Sequence, residues 1–100
     1  MAFVNSKASG ITTETVVYTA TGVTGTVIGM TIAPTGVDAT VSITLDDGVT
    51  PVKIVKDLII AAGTSAIPVG GGQKLVVANT ETIKVVSSAA VDVIVSVLEA

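Results

Sequence analysis

Apolar and polar side chains alternate with a period of two along most of this chain. In residues 39–45 the apolar side chains occupy every second position, with threonine and serine between them. Residues 91–97 carry valine at every second position in the same way, and Ile28, Met30 and Ile32 repeat the pattern. An alternation of this kind is typical of a strand with one face in the protein core. The pattern therefore predicts half-buried antiparallel strands.

The last of these strands is also apolar on its second face. The positions that alternate with these valines are Asp92, Ile94, Ser96 and Leu98, and two of them are apolar. A strand that is apolar on both faces is expected at the centre of a sheet or against a neighbouring subunit. Ile94 and Leu98 are therefore predicted interface residues.

Turn residues separate several further strand candidates. These candidates span residues 11–20, 52–55, 58–61, 75–78 and 83–86. Short strands with regularly spaced turn signals indicate a sandwich or a barrel, and no segment shows the 3.6-residue period of a helix. The sequence predicts an all-β fold: a compact two-sheet antiparallel sandwich, jelly-roll-like, with about eight strands and almost no helix.

The length of 100 residues corresponds to one domain. The first predicted strand begins at residue 11, so residues 11–100 are expected to form a single β-sandwich domain and residues 1–10 an N-terminal arm. Two interpretations of the arm stay open, a frayed terminus or a segment that docks on a neighbour. In the second case Phe3 and Val4 are the predicted anchors.

Composition narrows the chemistry that the chain can perform. Val, Ile and Thr make up 44 of 100 residues, whereas His, Cys, Trp and Arg are absent. A hydroxyl-nucleophile triad with a histidine base and a metal site of imidazole or thiolate ligands are therefore excluded. The acidic residues are scattered, and their spacing predicts no catalytic pair. We expect a protein that is not an enzyme and that has no cofactor and no metal.

Two short motifs resemble ligand sites but fit turns better. Residues 70–74 (GGGQK) lack the Gly-Lys-Ser/Thr order of a phosphate loop and lead into a predicted strand, so a flexible hairpin loop is expected. Residues 46–48 (DDG) lack the spacing of a calcium loop, whereas Asp-Gly between alternating strands is a hairpin signal. An adventitious calcium ion at a subunit junction is the alternative for the second motif.

Charge and hydrophobicity point to protein partners. The apolar fraction is 49% and the charged fraction 13%, so few charges are present to cover the surface and exposed apolar contact patches are expected. We therefore predict a homo-oligomer, with a trimer as the expected form. Five lysines in no basic run and two aromatic rings argue against nucleic-acid binding.

Membrane insertion and secretion are not expected. The longest unbroken aliphatic stretch, residues 58–62, is far shorter than the roughly 20 residues of a membrane span. The first ten residues lack the basic and apolar regions of a signal peptide.

The C-terminal half resembles a known class of proteins. The likeness covers residues 52–100 and rests on 68–77 (PVGGGQKLVV), 81–88 (ETIKVVSS) and 91–99 (VDVIVSVLE). This order of a glycine-rich loop, a strand, and a terminal apolar strand resembles small all-β virion structural proteins of tailed bacteriophages of the marine and cyanobacterial type. Residues 79–81 (NTE) depart from the Gly-Asp of such proteins, which changes a turn.

The resemblance implies a structural part of the virion, made in the host cytoplasm. The expected function is capsid decoration or cement at capsomer junctions, with the major capsid protein or another virion protein as the partner. A neck, tail or fibre-attachment accessory protein is the alternative within the particle. A small carbohydrate- or surface-binding module is the alternative of another class, and Tyr18, the one tyrosine, is the ring that could stack on a sugar there.

Overall fold

The computed structural model describes residues 2–70 and 74–100, and these residues form strands and turns without a helix. The strands are β1 (Ala2–Ile11), β2 (Thr15–Thr19), β3 (Gly25–Pro34), β4 (Ala39–Asp46), β5 (Pro51–Ile60), β6 (Ala66–Val69), β7 (Leu75–Val77), β8 (Thr82–Ser87) and β9 (Val91–Glu99). The all-β fold predicted from the alternation of side chains is confirmed.

The strands pair into two antiparallel sheets. Sheet A has the order β1-β9-β3-β6, and β7 pairs with a second stretch of β3. Sheet B has the order β2-β8-β4-β5. The chain passes between the sheets after β1, β2, β3, β5, β7 and β8, and the last strand returns to lie beside the first. This is the connectivity of a jelly roll, in which two four-stranded Greek-key orders face each other.

The core between the sheets consists almost entirely of aliphatic side chains. Sheet B contributes the buried side chains of Val41, Ile43 and Val85, and sheet A contributes Val93 and Val95. These residues occupy the alternating positions from which the strands were predicted, because successive side chains of a strand point to opposite faces. The inward assignment is therefore confirmed for Ala39, Val41 and Ile43 and for the valines of 91–97, whereas Leu45 is half-buried and Thr44, assigned outward, is buried.

Strand β3 departs from the predicted assignment. The sequence pattern places Ile28 on the same face as Met30 and Ile32, but the structure buries Val27 and leaves Ile28 outside with 37% exposure. The pairing of β3 with β9 shifts register between Val27 and Gly29. A bulge inserts one residue on one strand and so reverses the phase of the side chains beyond it, which explains the difference.

The first ten residues also differ from the expectation. Residues 2–10, which the sequence pattern places before the first strand, lie in β1 and pair with β9 from Ala2 opposite Glu99 to Ala8 opposite Val93. The inward positions of β1 carry Val4 and two small residues, so the stripe is too weakly apolar to be recognised from sequence. Residues 2–10 are therefore part of sheet A.

Three other strands differ from the predicted ones in their bounds. Predicted strands 52–55 and 58–61 are one strand, β5, which continues through Asp57 at a φ of 56°. Predicted strand 11–20 is divided between the end of β1 and β2. Strand β6 contains Pro68, which argues against a strand in sequence but is tolerated at a sheet edge.

Candidate interaction surface

The outer face of sheet A carries exposed apolar side chains from four strands. We define the apolar face by Phe3, Ile28, Val76, Ile94 and Leu98. Phe3 is 75% exposed, Val76 55% and Ile94 50%, and Leu98 is half-buried. Large side chains that remain this accessible on adjacent strands of one face form a patch rather than isolated exposed residues.

Strand register brings these residues together. Phe3 on β1 lies opposite Leu98 on β9, and Leu98 lies opposite Thr26 on β3. Thr26 in turn lies opposite Val76 on β7. The four residues form one row across the sheet, and with strands about 4.8 Å apart the row is about 14 Å long.

A second row runs parallel to the first at the other end of β1. Lys7 lies opposite Ile94, and Ile94 lies opposite Thr31. Between the rows, the Ser96 hydroxyl donates a 2.8 Å hydrogen bond to the Asn5 side-chain oxygen. The apolar face is therefore interrupted by a short polar row, which orders the side chains of β1 and β9 relative to each other.

Three of the four residues predicted as interface residues meet on this face. Phe3, Ile94 and Leu98 share it, whereas Val4 points inward, lies opposite Val97 and packs against the core. Ile28 and Val76 were not singled out from sequence. The bulge that turns Ile28 outward leaves no sequence signal, and Val76 stands between two other apolar residues that hide its orientation.

A groove borders the second row at the end of β1. It has a volume of about 410 Å³ and is lined by Lys7, Ala8, Ser9, Asp92, Val93 and Ile94. The register of β1 shifts after Ala8, and Gly10, at a φ of 66°, donates a 3.0 Å hydrogen bond from its amide to Asp92 Oδ1. The left-handed backbone that glycine adopts readily allows this turn of the chain, which opens the groove.

The outer face of sheet B carries an ion pair and further polar side chains beside its exposed apolar ones. Lys84 Nζ lies 2.8 Å from Asp46 Oδ2 and 4.0 Å from Glu14 Oε1. The hydrogen bond to Asp46 raises the pKa of Lys84, and the same bond lowers the pKa of Asp46. Nearby, Lys53 Nζ donates a 3.0 Å hydrogen bond to the Thr44 hydroxyl. The ion pair distinguishes the outer face of sheet B, although Val16 and Ile59 on this sheet are also exposed.

The carboxylates hold turns and strand ends. Asp47 Oδ1 accepts hydrogen bonds from the amides of Val49 and Thr50, and these bonds, that of Thr50 most, lower the pKa of Asp47. Together with Gly48 at a φ of 90°, they form the turn predicted at residues 46–48. Within 2–70 and 74–100, no group of three or more acidic, histidine or cysteine side chains is placed to hold a metal ion.

The ring of Tyr18 lies inside the sandwich. It is 6% exposed, and its hydroxyl donates a 2.6 Å hydrogen bond to Glu99 Oε2. A buried ring with an engaged hydroxyl has no free face for a sugar to stack on. Tyr18 therefore does not provide the stacking platform that a carbohydrate-binding module would need.

The remaining sequence motif falls partly outside the described residues. The glycine-rich loop predicted at 70–74 includes residues 71–73, which are outside the described part of the chain. The described strands and turns include no helix long and apolar enough to cross a membrane.

No known protein family, curated protein or solved structure matches the chain. The resemblance of residues 52–100 to phage virion proteins stays a prediction.

Proposed function

We propose that this protein is a non-enzymatic structural subunit of a tailed-phage virion, and that another virion protein covers its apolar face. The observation that carries the proposal is the row of Phe3, Leu98, Thr26 and Val76, which crosses four adjacent strands of sheet A. Phe3 and Val76, and Ile94 in the second row, are at half exposure or more. Apolar side chains that are exposed on adjacent strands of one face commonly mark a binding surface.

The shape of the apolar face suits a protein partner. The exposed aliphatic and aromatic side chains of β1, β9, β3 and β7 lie on one pleated sheet face, which can pack against a second flat surface, as sheets do within a sandwich. Full burial of Phe3 or Ile94, already partly covered, contributes on the order of 1–2 kcal/mol each. A few such residues supply the apolar anchors of an interface, and Thr26 and Asn5 lie between them as polar contacts.

Capsid decoration is the place in the virion that we propose, with the major capsid protein as partner. The likeness of residues 52–100 to small all-β phage virion proteins supports this choice. The engagement of acidic side chains in turns, strand ends and the Lys84 ion pair supports a role in which the chain contributes surface rather than chemistry. Decoration adds buried contact area between capsomers and so stabilises the shell.

Reconstitution with capsids assembled without this chain tests the proposal. Ile94→Asp places a charge in the second row of the apolar face, and Val52→Asp places the same charge at an exposed site on edge strand β5 of sheet B. We expect Ile94→Asp to weaken capsid binding at least tenfold and Val52→Asp to leave it unchanged. Equal binding of the two variants, whether both bind or both fail, would contradict the proposed use of the apolar face.

A further inference from the structure

The sheet edges of this protein are not equally protected against pairing with another chain. Edge strand β5 begins at Pro51, carries Lys53 and Lys56, and bends at Asp57, where φ is 56°. Proline, lysine and irregular backbone are the features by which natural proteins block an open edge. Strand β5 is therefore a poor template for a further strand.

Two other edges are too short or too irregular to pair. Strands β6 and β7, which share one edge of β3, have four and three residues, and β6 contains Pro68. Strand β2 has five residues, and its register with β8 shifts between Val16 and Tyr18. Short and bulged strands expose few aligned backbone groups.

Strand β1 has less of this protection than the other edge strands. It is ten residues long, contains no proline, and carries one charged side chain, Lys7. From Ala2 to Ala8 its register with β9 is unbroken, and β9 is its pairing partner among the described strands. The opposite side of this seven-residue stretch therefore presents regularly spaced backbone donors and acceptors to solvent.

We propose that β1 pairs antiparallel with β1 of a second copy, about a two-fold axis that passes through Asn5. Asn5 is the centre of the regular stretch from Ala2 to Ala8, so this register uses the whole stretch in both copies. A two-fold axis closes the contact on itself, because each copy contributes the same strand. Sheet A then continues from one copy into the other, with both apolar faces on the same side. This pairing concerns the edge of sheet A and does not depend on the proposed function.

Side chains across the proposed contact are complementary. With Asn5 on the axis, Phe3 of one copy lies opposite Lys7 of the other, on the outer face where both side chains are exposed. A lysine ammonium beside an aromatic ring is attractive, and the symmetry provides this pair twice. On the inner face Val4 lies opposite Ser6. A register centred on Lys7 would instead place two ammonium groups opposite each other, which is unfavourable.

Cysteine cross-linking tests the pairing, because the chain contains no cysteine of its own. Asn5→Cys places two thiols on the axis, where opposed residues have Cα atoms about 4.5–5.5 Å apart, within the range of a disulfide. We expect this variant to oxidise to a disulfide-linked dimer. We also expect the unmodified protein to sediment at twice its 9.9 kDa chain mass at micromolar concentration.

Two matched variants distinguish edge pairing from other contacts. In the proposed dimer, Lys7→Cys thiols are offset by four residues, about 13 Å, and Ser96→Cys thiols on β9 are separated by three strand spacings, about 14 Å. Both should cross-link at least tenfold more slowly than Asn5→Cys. Preferential cross-linking of Ser96→Cys would indicate stacked apolar faces and overturn the proposal. A monomer or a trimer in sedimentation of the unmodified protein would overturn it as well, although a trimer is the form expected from sequence.

Discussion

The hydroxyl of Tyr18 donates a 2.6 Å hydrogen bond to the Glu99 carboxylate, which joins strand β2 of sheet B to strand β9 of sheet A. The two residues are 81 positions apart in sequence. Burial, and then the hydrogen bond to Glu99 and its negative charge, raise the pKa of Tyr18 to about 12. The Glu99 carboxylate accepts the hydrogen bond from the Tyr18 hydroxyl and therefore disfavours deprotonation of that hydroxyl.

The raised pKa of Tyr18 predicts a loss of stability at alkaline pH. The folded-state pKa of about 12 lies above the ordinary value of 10.0, so the contribution is complete below pH 10 and is lost as the pH rises towards 12. A shift of this size corresponds to about 2–3 kcal/mol. Because Tyr18 is the one tyrosine, the absorbance of tyrosinate reports this group alone.

We expect the tyrosinate absorbance of the folded protein to appear with a midpoint near 12. Tyr18→Phe should remove this part of the alkaline loss of stability while leaving the part that arises from the raised pKa of Lys84. An ordinary midpoint near 10 while circular dichroism remains native would contradict the contact with Glu99.

Replacement of Gly25 by alanine is predicted to destabilise the fold, because the Tyr18 ring occupies the space that the new Cβ atom would need. A Cβ atom at Gly25 would lie 2.4 Å from the Tyr18 hydroxyl oxygen and 2.9 Å from Cε2, so the ring would have to move away from Glu99. Gly25→Ala should lower the free energy of unfolding by about 1–3 kcal/mol in denaturant titrations. Gly29→Ala on the same strand is the control, since a Cβ there has no neighbour within 4 Å, and a change within about 0.5 kcal/mol is expected. Equal losses for both variants would disprove the steric explanation.

The ion pair between Lys84 and Asp46 predicts part of the loss of folding stability at acidic pH. The hydrogen bond from Lys84, and then that from the Gly48 amide, hold the pKa of Asp46 below its ordinary value of 3.8. The stability that this carboxylate provides is therefore present above pH 3.8 and is lost as the pH falls through the lower, folded-state pKa. Asp46→Asn should flatten this part of the stability profile measured by denaturant titration at several pH values.

Lys84→Met tests the same pair from the other side, because it removes the hydrogen bond that lowers the pKa of Asp46 most. It should flatten the profile in the same range. Both variants should keep the acid loss that belongs to Asp47, whose pKa is lowered by the amides of Thr50 and Val49. A profile of Asp46→Asn identical to that of the unmodified protein would refute the role of the pair.

Substitution by threonine should affect the free energy of unfolding very differently at two adjacent residues of β9. Ile94 is half exposed on the apolar face, whereas Val95 is fully buried in the core. Ile94→Thr should change the free energy of unfolding by less than about 0.5 kcal/mol, because threonine keeps the β-branched shape and the site is exposed. Val95→Thr buries a hydroxyl in an aliphatic core and should cost about 1–3 kcal/mol. A large loss for Ile94→Thr would mean that this residue supports the fold rather than a surface for binding.

The outcome for individual strands shows what a single sequence can predict here. Strand β9 was predicted correctly because its valines are uninterrupted at every second position, and burial follows directly from that spacing. The assignment of Ile28 was wrong because the bulge between Val27 and Gly29 depends on pairing with β9, a contact with residues about 70 positions away in sequence. Periodicity within one segment contains no information about such a shift.

The candidate surface could be predicted in part for the same reason. Ile94 and Leu98 stand out because their strand is apolar on both faces. Phe3 was predicted as an anchor of a docking arm, but its position beside Leu98 requires the pairing of β1 with β9. Val4 was grouped with Phe3 by proximity in sequence, although neighbouring residues of a strand point to opposite faces. Recognition of residues 2–10 as a strand would have separated them.

The copy number of this chain in purified virions tests the central claim most directly. Quantitative mass spectrometry against the major capsid protein gives the ratio of the two chains. Our account predicts a ratio near one, or a large fraction of one, as a subunit that covers the shell requires. A ratio of a few per hundred would contradict capsid decoration and indicate the neck, tail or fibres, and absence from the particle would contradict the structural role itself.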